Sequence, residues 1–297
     1  MKRGKAPRGV RDRMIELLSY GFVQRALLAG ILVGLLCGVL GFFVVLKRLS
    51  FIGVGISHSA FGGIAIGMIL GVEPLLAAAV FSTLIAWAIG WLSQKGRLHE
   101  DTAIGILFSS AMALGVALIS LSSSYQVDLF GYLFGNILAV SSEDLWMLAA
   151  ITLVVVGAVG LLFKELLFLA FDEEVARANG LPVTPLYFVL LSCLALVVVA
   201  AIRVVGIVLV EALLVIPAAI GYQLARGYRV MLGLSVASAL LSTIIGLFVS
   251  YFLNIAAGAT IVLVLTLFFF IALAVARTRR AAIVRPVVVH ERAGATP

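Results

Sequence analysis

Two ionisable side chains stand inside long apolar runs, where their types suit the handling of a cation. Glu211 lies in Val-Val-Gly-Ile-Val-Leu-Val-Glu-Ala-Leu-Leu-Val-Ile, residues 204–216. A carboxylate among so many aliphatics costs about 2.5–3.5 kcal/mol at mid-membrane, so it must be paired, protonated or facing water. It is either hydrogen-bonded to a neighbouring helix or a cation-handling group on a pathway. His58 is the only histidine inside an apolar segment, and Ser57 and Ser59 flank it. It too is either a satisfied hydrogen-bonder or a pathway group. Imidazole with carboxylate suits zinc, manganese or iron, whereas copper(I) favours thiolate or thioether ligands. Cys37 and Cys193 are isolated in apolar runs. They build neither a disulfide framework nor a paired-cysteine metal motif, and read as small buried hydrophobes.

Other polar clusters have plainer readings. His99, Glu100 and Asp101 precede an apolar run, where Asp101 or Thr102 is expected to cap a helix and acids favour its positive end. His290 falls in the C-terminal tail and needs no role. The loop 171–182, Phe-Asp-Glu-Glu-Val-Ala-Arg-Ala-Asn-Gly-Leu-Pro, reads as a short punctuated helix. Asp172 suits the cap, Glu173 and Glu174 the first turn, and Arg177 the last. Asn179 and Gly180 suit a left-handed stop, with Pro182 beyond. Such a helix between two apolar spans is either built to touch a partner or is an amphipathic connector. The chain contains no phosphate-binding loop, no zinc-protease histidine pair and no nucleophile elbow.

The elements that must position these groups are membrane spans. Of the 297 residues, 63% are hydrophobic and 12% charged, against about half and a quarter in soluble domains. At about 20 residues per crossing, there is room for roughly eight to ten spans and little for a water-soluble domain. The expected fold is an all-α polytopic bundle in the cell membrane. Uncharged stretches place spans near 21–46, 54–71, 74–92, 102–121, 146–163, 186–202, 206–224, 230–250 and 258–276. A weaker tenth stretch, 125–140, carries Asp128 and Asn136. The run 27–46 is too long for a signal-peptide core and is expected to remain as a span.

The net charge is +7. Basic residues collect in an N-terminal segment, 1–20 (Lys2, Arg3, Lys5, Arg8, Arg11, Arg13), and a tail, 277–297 (Arg277, Arg279, Arg280, Arg285). No basic face is interleaved with aromatics, so these read as positive-inside anchors and not as a nucleic-acid surface. Four spans follow residue 183, which puts the 165–183 loop on the side of the C-tail. Five precede it, so the N-tail lies outside unless 125–140 adds a crossing or one segment is re-entrant.

Gly30, Gly34 and Gly38 recur every four residues, and so do Gly63, Gly67 and Gly71. Small residues at this spacing let helix backbones approach closely in lipid. The segment 53–71 holds Gly53, Gly55, Ser57, His58, Ser59, Gly62 and Gly63 within eleven residues. Such a run is a poor continuous helix, so a broken span lining a cavity is expected there.

Four stretches together resemble the membrane permease of the zinc/manganese/iron uptake class of ABC transporters. They are Val-Val-Leu-Lys-Arg-Leu-Ser (44–50) leading into Gly-Ile-Ser-His-Ser-Ala (55–60), Glu-Asp-Thr-Ala-Ile-Gly-Ile (100–106), the 171–182 loop, and Leu-Leu-Val-Ile-Pro-Ala-Ala (213–219). They run in family order across most of the chain. The resemblance implies a permease domain over 21–276 in a homodimeric or pseudo-dimeric core. It also implies two cytoplasmic ATPase subunits, seated at Asp172, Glu173, Glu174, Arg177 and Gly180, and an extracytoplasmic binding protein that delivers the metal. No cofactor is implied; a divalent metal ion is the substrate, and His58 matches the family's pathway histidine. One departure is Val54, four residues before His58, where the family often has an acid. Glu211 is the expected replacement, passing metal transiently together with His58. The alternatives are a metal-chelate permease with a wider path, or a proton-coupled carrier using Glu211 as a relay with no ATPase.

Overall fold

The computed structural model describes residues 19–95, 98–121, 135 and 137–283. Among these, nine helices are long and apolar enough to cross a membrane. In chain order they are α1 (Gly21–Leu46), α2 (Ile52–Leu70), α3 (Pro74–Lys95), α4 (Glu100–Leu121), α5 (Ser142–Leu161), α8 (Val183–Val205), α9 (Ile207–Leu224), α10 (Tyr228–Leu253) and α11 (Ala257–Ile283). Two short helices, α6 (Phe163–Phe171) and α7 (Glu173–Ala178), connect α5 to α8. The protein is an all-α polytopic membrane protein. Its basic C-terminal residues Arg277 and Arg279 continue the last helix.

Helices α2, α3 and α4 form one packed group joined to α8, while α1 packs on α9 and α10, and α11 covers α9 and α10. Helices α1 and α8 are apolar on all sides and supply much of the core, including Leu36, Leu40, Phe42, Leu190, Leu194 and Val197. An all-round apolar helix has no reason to face solvent, and here the packing keeps these two central.

Successive spans alternate in direction. The start of α4 meets the start of α8, where Tyr187 Oη donates to Glu100 Oε1 at 3.0 Å. The end of α8 meets the starts of α3 and α5, where Arg203 lies 2.9 Å from Asp144 and 3.8 Å from Glu73. Arg25, near the start of α1, donates to Val140 O at 3.0 Å. Leu121 and Ser142 therefore lie on one face. Helix α1 begins on that face, opposite α7 and the C-terminal arginines, which contradicts the reading of the N-terminal basic segment as a positive-inside anchor. The N-terminal basic segment and most of the 125–140 stretch lie outside the described residues. On the α7 face stand Lys47, Arg48, Lys95, Lys164, Arg177, Arg226, Arg229, Arg277 and Arg279; on the other are Arg25 and Arg203. The positive-inside rule makes the α7 face cytoplasmic.

The expected break in 53–71 is absent, because α2 is a continuous helix from Ile52 to Leu70. Its glycines sit where α3 and α4 press closest. A side chain at Gly63 would meet the Ala78 backbone at 2.6 Å, and one at Gly62 would meet Ala111 O at 2.7 Å. Ser59 Oγ bonds within the helix, donating to Gly55 O at 2.6 Å. Low helix propensity measured in water is outweighed where no water competes for the backbone and each missing side chain admits a neighbour.

Candidate functional site

Helices α2 and α9 bring His58 and Glu211 together. Helix α9 starts at once after α8, through Gly206 alone, whose φ of +80° and ψ of 164° suit a residue without a side chain. The backbone around Gly135 packs directly on this junction, leaving no room for a Cβ. With 18 residues, α9 is about 27 Å long, against about 39 Å for the 26 residues of α1. Leu214 of α9 lies against Gly41 of α1 with no space for a side chain between them. Glu211, one turn earlier, is thereby held in the interior of the bundle and not at an end.

The polar geometry defines which atoms are engaged. Ser57 Oγ lies 2.6 Å from Glu211 Oε1 and 3.1 Å from Val54 O, so its single proton goes to the carboxylate. His58 Nδ1 lies 3.0 Å from Val54 O and 3.2 Å from Glu211 Oε1. A carbonyl only accepts, which places the proton on Nδ1. Neutral imidazole then carries its lone pair on Nε2. Among the described residues nothing hydrogen-bonds His58 Nε2 or Glu211 Oε2, so one nitrogen and one oxygen donor stay free. The imidazole stands edge-on to Phe108 of α4, with ring centroids 5.1 Å apart. Both side chains are about a quarter exposed, 23% and 25%, so neither is sealed within this chain. No group of three or more His, Cys, Asp or Glu side chains is placed to hold a metal ion among the described residues. One chain thus offers two donors, too few to enclose an ion.

The loop folds as its punctuation implied. Asp172 Oδ1 accepts from Val175 N at 3.0 Å, and Glu173 and Glu174 fill the first turn of α7. At the other end Gly180 takes a φ of +81°, Gly180 N donates to Arg177 O, and Leu181 N donates to Ala176 O. Arg177 lies 3.3 Å from Glu173. The acids before α4 behave differently from expectation: the helix starts at Glu100, and His99 O accepts from Thr102 and Ala103. Asp101 is inside the first turn and not the cap. Glu100 is free to meet Tyr187 because the helix begins earlier.

The expected packing glycines lie at helix contacts except Gly71, which at φ +67° is the left-handed cap of α2 with open space around it. A side chain at Gly30 would meet Thr243, at Gly34 Leu240, at Gly38 Val236, at Gly63 Ala78 and at Gly67 Ala77 and Pro74. Two polar clusters were invisible in the sequence: Lys47 with Glu173, and Arg203 with Asp144 and Glu73. Lys47 fell within a noted motif, but nothing local marks a partner 126 positions away.

Nine spans, a membrane-embedded histidine–carboxylate pair and a capped cytoplasmic helix define a multi-pass transport protein of the cell membrane. Residues 19–276 match the ABC 3 transport family, and the chain belongs to that family. The manganese transport system membrane protein MntC of Listeria innocua is 44% identical over 256 residues, covering 86% of this chain and 91% of that protein. The manganese import system permease protein ScaB of Streptococcus parasanguinis is 40% identical over 264 residues, covering 89% and 94%. The structure of PsaBC from Streptococcus pneumoniae in complex with Fab superposes with a TM-score of 0.81 at 37% identity, covering 92% of this chain and 98% of that one.

Proposed function

We propose that this chain is the permease subunit of an ATP-driven importer of divalent metal ions, manganese foremost. One observation carries the reading: His58 and Glu211 are held together with Nε2 and Oε2 unengaged. Nitrogen and carboxylate oxygen donors suit manganese, iron and zinc. Two donors per chain leave most coordination positions to water or a second copy, which keeps the ion exchangeable. Glu211 supplies the carboxylate that Val54 lacks. The relatives named for manganese transport support this choice of metal.

Two cytoplasmic ATPase subunits power the cycle in this reading. Helix α7 is their seat, with Glu174, Val175 and Arg177 facing away from the bundle. An extracytoplasmic binding protein delivers the metal to the opposite face, and a second permease copy completes the pathway. The test is uptake of manganese, ferrous iron and zinc into vesicles holding this chain, its ATPase and its binding protein. ATP-dependent uptake of one metal supports the reading. Uptake driven by a proton gradient without ATP contradicts it, and so does ATP turnover that moves only a chelate.

A further inference from the structure

The polar contacts of α7 point inward as well as outward. Glu173, its first residue, accepts from Lys47 Nζ at 2.8 Å. Lys47 caps the end of α1, and its side chain is only 12% exposed. An ammonium so enclosed needs its counter-charge, because leaving it unpaired carries the full cost of desolvation. The Tyr187 ring lies 5.5 Å from the same Nζ, and Tyr187 Oη is bonded to Glu100. One lysine therefore joins α7, α1, the start of α8 and, through Tyr187, the start of α4. Among the described residues this is the only ion pair between α7 and a membrane-spanning helix.

Lys47 also opens the tight corner that leads into α2. Arg48 takes a left-handed φ of +59°, Leu49 N donates to Val44 O, and Ile52 N donates to Leu49 O. Leu49 is buried at 2% exposure and anchors the corner in the core. His58 follows less than two helical turns after Ile52. Displacement of α7 thus has a short rigid route to the histidine, provided Lys47 moves with Glu173. Beside the pair lies an open recess of about 500 Å³, lined in part by Arg48, Ser93, His99, Glu100 and Glu173, which gives the corner space to shift.

We propose that the Lys47–Glu173 pair is the joint that carries motion of α7 into α2 and so to His58. Both are positioning residues: Glu173, which the family resemblance placed in the ATPase seat, turns instead to Lys47, while Glu174, Val175 and Arg177 stay exposed for the partner. This rests on the ATP-driven reading given above.

The test uses the full complex in vesicles, with manganese uptake and ATP turnover measured together. The variants are Lys47→Met, Glu173→Gln, the conservative Lys47→Arg, and the exchange Lys47→Glu with Glu173→Lys. The two neutral variants are expected to keep the ATPase bound and turning over while ions moved per ATP fall about tenfold. Lys47→Arg is expected to keep the ratio, and the exchange to recover most of it. An unchanged ratio in the neutral variants overturns the proposal. Loss of ATPase binding also overturns it, by making the pair an assembly contact, and so does a Lys47→Arg complex whose ratio falls as far as that of the neutral variants. A wild-type complex that shows no ATP-dependent uptake overturns the functional reading itself, and this proposal with it.

Discussion

Ser57 donates its hydroxyl proton to Glu211 across 2.6 Å, although the two residues stand 154 positions apart. That bond fixes Oε1, the same carboxylate oxygen that lies 3.2 Å from His58 Nδ1, and leaves Glu211 Oε2 and His58 Nε2 without a hydrogen-bond partner among the described residues. The metal pathway proposed for this chain rests on this arrangement, in which a carboxylate on α9 serves an imidazole on α2.

If Glu211 supplies a carboxylate that Val54 lacks, the acid can be moved back. Val54 lies one helical turn before His58, on the same side of α2. Glu211→Ala is expected to weaken metal uptake about 10–100-fold, the usual effect of losing a group that orients or assists a ligating histidine. Adding Val54→Asp to that variant is expected to restore most of the uptake. Vesicle uptake of manganese checks both, and no recovery in the double variant would show that the position of the acid on α9 is itself required.

Close packing of α1 on α10 should be sensitive at a single atom. A Cβ at Gly38 would lie 2.9 Å from the Val236 backbone. Gly38→Leu is expected to cost about 1–3 kcal/mol or more by forcing the helices apart. Gly105 on α4 has open space where a Cβ would stand, so Gly105→Ala is expected to be neutral. Thermal unfolding of the two detergent-purified variants, followed by size-exclusion chromatography, separates these outcomes. Equal midpoints would contradict the packing account.

On the outer face, Asp144 does two jobs. It closes a capping box with Ser141 at the start of α5 and pairs with Arg203 at 2.9 Å. Asp144→Ala is expected to lower stability by about 1 kcal/mol, through loss of its half of the capping box and of the Arg203 pair. The exposed neighbour Glu143→Ala is expected to change little. Unfolding midpoints of the two variants test the assignment, which fails if Glu143→Ala costs as much as Asp144→Ala.

What was legible in the sequence follows the range of each interaction. The spans were readable because lipid exposure demands apolar runs of fixed length, and each observed helix begins within about four residues of its expected start. Helix α7 was readable because Asp172, Gly180 and their partners are all local. The break expected in α2 does not occur, because its glycines, poor helix formers in water, here admit α3 and α4. His58 and Glu211 stood out singly by the cost of their burial. Their contact through Ser57 depends on how α9 is set by the Gly206 junction, which no local pattern encodes. Lys47 is the clearest case, since its partner is fixed only by the packing of α6 and α7 beneath the bundle.

The most direct test of the central claim is manganese uptake by the complex carrying Glu211→Gln, with ATP turnover and ATPase binding measured in the same vesicles. The amide keeps the shape and can still accept from Ser57, but it loses the charge. The account predicts a complex that assembles and hydrolyses ATP while uptake falls at least tenfold, within the range expected for a group that assists a metal ligand. Wild-type uptake by a normally assembled Glu211→Gln complex would contradict it.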